Sequence, residues 1–172
     1  MRGRQRIKSN KGSVMAELDT GSSVPDFELP RAGGGTVGLR DLKGKPFVLY
    51  FFPKDGSEGC TTEALDFSRL KPQFAALGVS IVGVSPDSPK SKDKFRAKHD
   101  LTIDLLSDEE RTMLQAYGVW VEKSMYGRKY MGVERTTFLV GADGIVANVW
   151  RKVRIAGHAD AVLDAARGLA AR

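Results

Sequence analysis

With 172 residues, 41% of them hydrophobic and 28% charged, the chain has the size and composition of one globular domain with a sizeable core. Its single cysteine excludes an internal disulfide and a Cys-x-x-Cys redox motif, and two distant histidines argue against a metal site. Most of the net charge of +6 comes from residues 1–14, which include basic residues and no acidic one, so the rest is nearly neutral. The longest apolar runs, at 47–52 and 79–84, are far shorter than the roughly 20 residues that span a bilayer.

The basic start of the chain lacks the apolar stretch of a secretory signal. Three interpretations of it stay open: an artefact of start-site choice, a disordered solvated tail, or an arm that binds nucleic acid or membrane. No aromatic residue interleaves its basic residues and no nucleic-acid-binding motif follows it, so the sequence gives little support to nucleic-acid binding. We therefore predict a basic, disordered tail over residues 1–15 and a single folded domain over residues 16–172.

The first elements of the domain are extended. Residues 24–30 form a short extended segment, and residues 36–40 alternate in the manner of an edge strand. Residues 47–52 form a continuous apolar run, which is typical of a strand buried on both faces. A turn rich in proline and glycine follows and ends at Cys60.

A helix is predicted after Cys60, because apolar residues recur there at three- and four-residue spacings. Pro72 predicts a kink or an early end of this helix, and Gly78 predicts its stop. The later predicted elements are a buried strand over 79–84, a charged helix over 90–99, a short strand over 103–106, a helix over 108–117, apolar strands over 133–140 and 145–150 joined by a Gly-rich turn, and a final helix from 158 to about 169. This order favours an α/β fold, a three-layer sandwich with a mixed central sheet flanked by helices.

Cys60 is the residue with the clearest chemical signal, because it lies between a buried strand and a helix. Unpaired backbone N–H groups and the positive end of the helix dipole favour the thiolate there, and the thiolate is the nucleophilic form of cysteine. The alternative is a small buried hydrophobic residue, which is the commonest role of a lone cysteine.

The residues around Cys60 resemble a known family. Pro53, Ser57 and Cys60 stand in a P-x-x-x-S-x-x-C spacing, which is similar to the signature of the peroxiredoxins. The run PKDGSEGCTTEALDF resembles the branch of bacterioferritin comigratory protein, or peroxiredoxin Q, and VPDFELP, VGVSPDS, LLSDEE, ERTTFLVGADGIV and GHADAVLDA extend the resemblance over about residues 20–170. It implies a thioredoxin-like fold and a thiol-dependent peroxidase that reduces hydrogen peroxide and organic hydroperoxides.

The resemblance also implies roles for individual residues. Cys60 is expected to attack the hydroperoxide and to become a sulfenic acid. Ser57 is expected to place a hydroxyl near the sulfur, and Pro53 to shape the turn that shields the thiolate from bulk water. Arg135 becomes the cation that reaches the thiolate from a neighbouring strand, although a strand arginine taken alone indicates a surface ion pair. For Glu63 two readings stay open, orientation of the first helical turn or a solvated helix face.

The chain departs from the branch pattern at two positions. Leu65 stands where many members carry a resolving cysteine, so the sulfenic acid must be resolved by an external thiol: glutathione, a thioredoxin, a glutaredoxin, or Cys60 of a second subunit. Glu58 stands where proline is usual and adds a negative charge near the thiolate, with a small effect if it points to solvent. His99 and His158 are expected at the surface, near helix ends.

Under a second interpretation, the protein has the same fold but little peroxidase turnover, and it is a thioredoxin-fold redox sensor or binding protein that retains Cys60. No cofactor and no metal are expected under either interpretation, and a monomer and a homodimer fit the sequence equally. The absence of a signal segment and of disulfide potential favours a cytoplasmic location.

Overall fold

A computed structural model describes residues 18–172, and the basic tail predicted over residues 1–15 lies outside the described residues. The strands are β1 (Glu28–Pro30), β2 (Thr36–Gly38), β3 (Phe47–Phe51), β4 (Ser80–Ser85), β5 (Asp104–Ser107), β6 (Trp120–Met125), β7 (Arg128–Val133), β8 (Thr136–Val140) and β9 (Val146–Trp150). The helices are α1 (Leu39–Leu42), α2 (Glu58–Ala76), α3 (Pro89–His99), α4 (Thr112–Ala116) and α5 (His158–Ala170).

A mixed sheet of five strands forms the centre of the molecule, in the spatial order β5-β4-β3-β8-β9. The apolar run of β3 takes the middle position, and every residue of this strand is buried. Parallel pairing joins β3 to β4 and β4 to β5, whereas β8 pairs antiparallel with both β3 and β9. The residues that follow β3 and β4 therefore lie at the same sheet edge as the residues that precede β8.

Helices cover both faces of this sheet. On one face, α2, α3 and α5 pack apolar side chains such as Phe67, Phe95 and Val162 against Val48 of β3. On the other face, α4 and the chain before β3 pack against the opposite side of the same strand, around Leu49. The predicted three-layer α/β sandwich on a mixed sheet is confirmed. Within residues 18–172, no helix is long and apolar enough to cross a membrane.

Of the two outcomes predicted at Pro72, a kink or an early end of α2, the early end is wrong, because the helix continues for about one further turn. Proline removes one backbone donor from a helix. The apolar residues on either side of it, Leu70 and Phe74, are buried against the sheet and hold the helix in place across this position. Gly78 adopts φ +75° just beyond the helix, which confirms its predicted role as the stop.

The segment before β8 also differs from the prediction of one strand over 133–140. β6 and β7 form an antiparallel hairpin that pairs with no strand of the central sheet. β8 begins only after a break at Glu134 and Arg135. Most side chains of the hairpin are exposed or half-buried, so it lacks the apolar alternation from which a strand is predicted.

Two further elements are shorter than predicted. The edge strand predicted over 36–40 ends at Gly38, immediately before α1, and it pairs with β1 outside the central sheet. The helix predicted over 108–117 is the shorter α4, because Arg111 adopts a left-handed backbone conformation (φ +64°) immediately before it.

Candidate active site

Cys60 lies in the first turn of α2, at the sheet edge where β3 ends. Residues 52–57 lead into this helix through a turn in which Gly56 adopts φ +80°. Ser57 is the N-cap residue, in an extended conformation, so Cys60 lies among the unpaired N–H groups of the helix start. The thiol is free and only 1% exposed. The predicted junction of a buried strand and a helix is therefore where Cys60 is found.

Arg135 contacts this thiol directly. Its Nη2 lies 3.3 Å from Sγ of Cys60, and its Nη1 donates to Oε1 of Glu63 at 2.6 Å. The antiparallel pairing of β3 with β8 accounts for the meeting, since Arg135 precedes β8 at the edge where β3 ends. The structure thus brings Arg135 to Cys60 from the break before β8, one residue outside the strand.

Glu63 lies one helical turn after Cys60, and its side chain is 1% exposed. The reading of Glu63 as part of a solvated helix face is wrong, because the carboxyl group is buried against Arg135. Burial raises the pKa of Glu63 to about 7, and the charge of Arg135 opposes this rise. Burial acts to lower the pKa of Arg135, but Glu63 and Cys60 together hold it above its usual value. Arg135 therefore remains a cation beside the sulfur.

The chain after β9 also lies close to Arg135 and to the start of α2. The N–H of Val153 donates to the carbonyl of Arg135 at 3.0 Å. A Cβ atom at Gly59 would lie 3.0 Å from Cδ1 of Ile155 and 3.5 Å from Nη2 of Arg135. The glycine before the cysteine thus leaves room for both side chains to approach the start of α2.

The other predicted site residues surround the same turn. Pro53 is half-buried at its start. The hydroxyl of Ser57 donates to the carbonyl of Lys54 at 3.1 Å, which uses its hydrogen within the turn and leaves its oxygen free to accept. The role of Ser57 beside the thiolate stays a prediction. Glu58 is exposed, so solvent screens the charge that it adds near Cys60.

His158 corrects the expectation of a surface histidine. It begins α5 but is only 6% exposed, and its Nε2 lies 2.8 Å from Oγ1 of Thr137 on β8. Burial, together with a smaller effect of the charge of Arg135, lowers the pKa of His158 to about 4, so the ring is neutral near pH 7. His99 ends α3 half-buried, with its ring against Phe95. The only signal in the sequence for the burial of His158 was its position next to the apolar stripe of α5.

A second group of charged residues near Cys60 was missed by the sequence analysis. Lys92 of α3 is fully buried and forms an ion pair at 2.7 Å with Asp55, which lies in the turn before Cys60. Its position three residues before the buried Phe95 placed Lys92 on the inner face of the helix, which is the signal that could have revealed it.

Metal-ligating side chains do not converge in the part of the chain that the structure describes, where no group of three or more His, Cys, Asp or Glu residues could hold a metal ion. The groups that do converge on Cys60 are a helix start and a guanidinium held by a buried carboxyl group. This arrangement places hydrogen-bond donors and a positive charge beside the sulfur.

Comparison with known proteins shows that the chain is similar to members of one protein family. The family model described as "AhpC/TSA family" matches residues 20–149. Peroxiredoxin Bcp of Xanthomonas campestris is 47% identical over 150 residues, which cover 87% of this chain and 94% of the relative. Peroxiredoxin Bcp of Bacillus subtilis is 47% identical over 141 residues, which cover 82% of this chain and 90% of the relative.

Solved structures agree with this relationship. The bacterioferritin comigratory protein of Xanthomonas campestris superposes with a TM-score of 0.81 at 46% identity, covering 84% of this chain and 92% of that one. A mutant of the Xylella fastidiosa PrxQ superposes with a TM-score of 0.85 at 36% identity, covering 90% of this chain and 98% of that one. The chain therefore belongs to the AhpC/TSA family, among the peroxiredoxins of the bacterioferritin comigratory protein or peroxiredoxin Q type, which are thiol-dependent peroxidases.

Proposed function

We propose that the protein reduces hydrogen peroxide and organic hydroperoxides at Cys60, with no other cysteine of its own taking part. The contact of 3.3 Å between Nη2 of Arg135 and Sγ of Cys60 carries this proposal. A permanent cation at that distance stabilises both the thiolate and the negative charge that develops on the departing oxygen. The Xanthomonas campestris relative is described as active in alkyl peroxide reduction, which supports organic hydroperoxides as substrates here.

In the proposed first step, the thiolate of Cys60 attacks one oxygen of the hydroperoxide and the O–O bond breaks. The sulfur is oxidised to a sulfenic acid, which keeps the attacked oxygen and its hydrogen. The other oxygen leaves as hydroxide or alkoxide, takes up one proton and is released as water or an alcohol. Arg135 donates to this leaving oxygen, Ser57 binds the peroxide through its hydroxyl, and Pro53 shapes the turn that keeps bulk water away from the sulfur.

In the proposed second step, an external thiol attacks the sulfenic sulfur, which releases water and forms a mixed disulfide. A second external thiol then cleaves this disulfide and restores Cys60. The sequence holds no other cysteine, so the donor is glutathione, a thioredoxin, a glutaredoxin, or Cys60 of a second subunit. Because Cys60 is 1% exposed, a protein thiol reaches the sulfur only when the first turn of α2 moves.

The test is a stopped-flow measurement of Cys60 oxidation by hydrogen peroxide, followed by intact mass. We expect rapid formation of a single oxygen adduct that glutathione or a thioredoxin reverses, and no reaction in Cys60→Ser. A rate no greater than that of an unactivated thiol would overturn the proposal.

Turnover separates this peroxidase from a redox sensor. The sensor interpretation predicts that Cys60 is oxidised once and that added reductant sustains little peroxide consumption. Repeated consumption of peroxide in the presence of a thiol donor is the expected result for the proposed function.

A further inference from the structure

Lys92 is a fully buried ammonium that the proposed reaction does not use. Its Nζ donates to Oδ1 of Asp55 at 2.7 Å and also to Oγ of Ser85. Oδ2 of Asp87 lies 3.9 Å from the same nitrogen, and the centre of the Phe52 ring lies 4.5 Å from it. A buried charge needs such partners to offset its lost hydration. Helix α3, the end of β4 and the chain after β3 all contribute to the surroundings of this ammonium.

Asp55 connects this buried charge to the reactive cysteine. It lies in the turn between Pro53 and Cys60. Its Oδ2 accepts a hydrogen bond from Oγ of Ser91 at 2.8 Å, and its backbone N–H donates to Oδ2 of Asp87 at 2.7 Å. The turn is therefore fastened to α3 and to the chain after β4 through both the side chain and the backbone of one residue.

The ion pair of Lys92 and Asp55 is better suited to holding the turn in one geometry than to stabilising the fold. Burial lowers the pKa of Lys92, and Asp55 opposes this by attracting the charged form. A buried ion pair seldom stabilises a fold more than well-packed apolar side chains do, because desolvation offsets the attraction. The ion pair instead fixes the orientation of Asp55, because charge-assisted hydrogen bonds are directional.

We propose that Lys92 is a positioning residue for peroxide reduction, which fixes the turn over residues 53–57 through Asp55 and so directs Sγ of Cys60 toward Arg135. This inference rests on the proposed function of Cys60. Lys92 acts through the turn and touches no substrate. Misalignment of Cys60 with Arg135 should slow peroxide reduction strongly, because a displacement of about 1 Å between reacting groups can lower a rate by about 100-fold.

The test compares two reactions of the same thiol in Lys92→Met, whose side chain is apolar and of similar length. Oxidation by hydrogen peroxide needs the alignment of Cys60 with Arg135, whereas alkylation by iodoacetamide needs only an accessible thiolate. We expect the peroxide rate constant to fall by at least about tenfold, with a much smaller change in the alkylation rate. The matched control is Lys94→Met, an exposed lysine on the same helix, which should leave the ratio of the two rates unchanged.

A ratio in Lys92→Met equal to that of the wild type would overturn the proposal. If this variant does not fold, the double variant Lys92→Met with Asp55→Asn removes both charges of the pair, and the same ratio decides. A purely structural role would change the unfolding midpoint and leave the peroxide rate constant of the folded protein unchanged, which would also overturn the proposal. A slow wild-type protein would contradict the proposed function itself, so the two failures are distinguishable.

Discussion

Nη2 of Arg135 lies 3.3 Å from Sγ of Cys60, although the two residues are 75 positions apart in the chain. Local sequence places the thiol at a helix start, but only the antiparallel pairing of β3 with β8 brings the guanidinium to it. The same guanidinium is held by Glu63, which lies on the helix of Cys60. One helix therefore carries both the nucleophile and the group that orients its cation.

Replacement of Arg135 is expected to slow peroxide reduction strongly. Arg135→Ala removes the donor that faces the leaving oxygen and should lower the second-order rate constant by about 10²- to 10³-fold, as loss of one such donor does elsewhere. Stopped-flow oxidation by hydrogen peroxide measures this change. Arg128→Ala, in the exposed hairpin of β6 and β7, is the control and should react like the wild type. A rate in Arg135→Ala close to that of the wild type would remove Arg135 from the reaction.

The fold could be predicted from the sequence because apolar periodicity reports burial directly. The continuous run of β3 and the stripe of α2 needed no knowledge of distant residues. The hairpin over 120–133 could not be predicted, because its exposed strands contribute little to a core and so follow no apolar pattern.

Charged and titratable residues of the site were harder to place than apolar ones. Glu63, Lys92 and His158 are types that are usually exposed, and each is buried by partners from a different element. The sequence around one such residue does not reveal which distant residue it will contact in the fold. The position of Cys60 was predictable because a strand, a turn and a helix start are all local features.

Glu63→Gln is expected to change how stability depends on pH. The folded protein holds the proton of Glu63 up to about pH 7, whereas the ordinary pKa of 4.5 applies in the unfolded chain. Between these values the folded state binds more protons, so the free energy of unfolding falls as pH rises. Glutamine keeps the acceptor for Arg135 and lacks the titration. The difference in unfolding free energy, variant minus wild type, should therefore grow by up to about 3 kcal/mol across this window.

Urea unfolding at several pH values measures this difference. Glu58→Gln is the matched control, since Glu58 is an exposed glutamate on the same helix and its replacement should give a profile parallel to that of the wild type. Parallel profiles for Glu63→Gln and the wild type would show that Glu63 titrates alike in the folded and unfolded states.

The effect of His158 on the pH dependence of stability is expected to be opposite to that of Glu63. The pKa of His158 is about 4 in the folded state and 6.5 ordinarily, so the unfolded chain binds more protons between these values. Its contribution to stability is complete above about pH 6.5 and is lost as pH falls toward 4, by up to about 3 kcal/mol. His158→Gln, which offers an amide to Thr137, should remove this acid-dependent loss. The chain has two histidines, so imidazole proton resonances followed against pH give an independent check.

The control for this prediction is His99→Gln, which should keep the acid-dependent loss of the wild type. The outcome that contradicts it is an imidazole resonance of His158 that titrates near its ordinary value in the folded protein. Such a result would mean that burial and Arg135 do not disfavour the charged form of the ring in the folded protein.

Introduction of a cysteine at Leu65 is expected to give the chain an internal disulfide. Leu65 is 43% exposed on α2, five residues after Cys60. Five residues of helix rise about 7.5 Å, whereas disulfides usually join Cα atoms about 4.4–6.8 Å apart, so the bond requires the first turn of α2 to unwind. After one equivalent of hydrogen peroxide and without an external thiol, Leu65→Cys should lose both free thiols, because the new thiol attacks the sulfenic acid of Cys60.

Thiol titration and intact mass distinguish this outcome from that of the wild type, which has a single cysteine and so forms no internal disulfide. Ser124→Cys, at an exposed position of the β6–β7 hairpin, is the matched control and should retain its added thiol under the same conditions. A Leu65→Cys protein that also retains its added thiol would mean that the first turn of α2 stays wound after oxidation. The external thiol of the proposed second step would then have to reach the sulfur without that opening, which only a small thiol could do at a site that is 1% exposed.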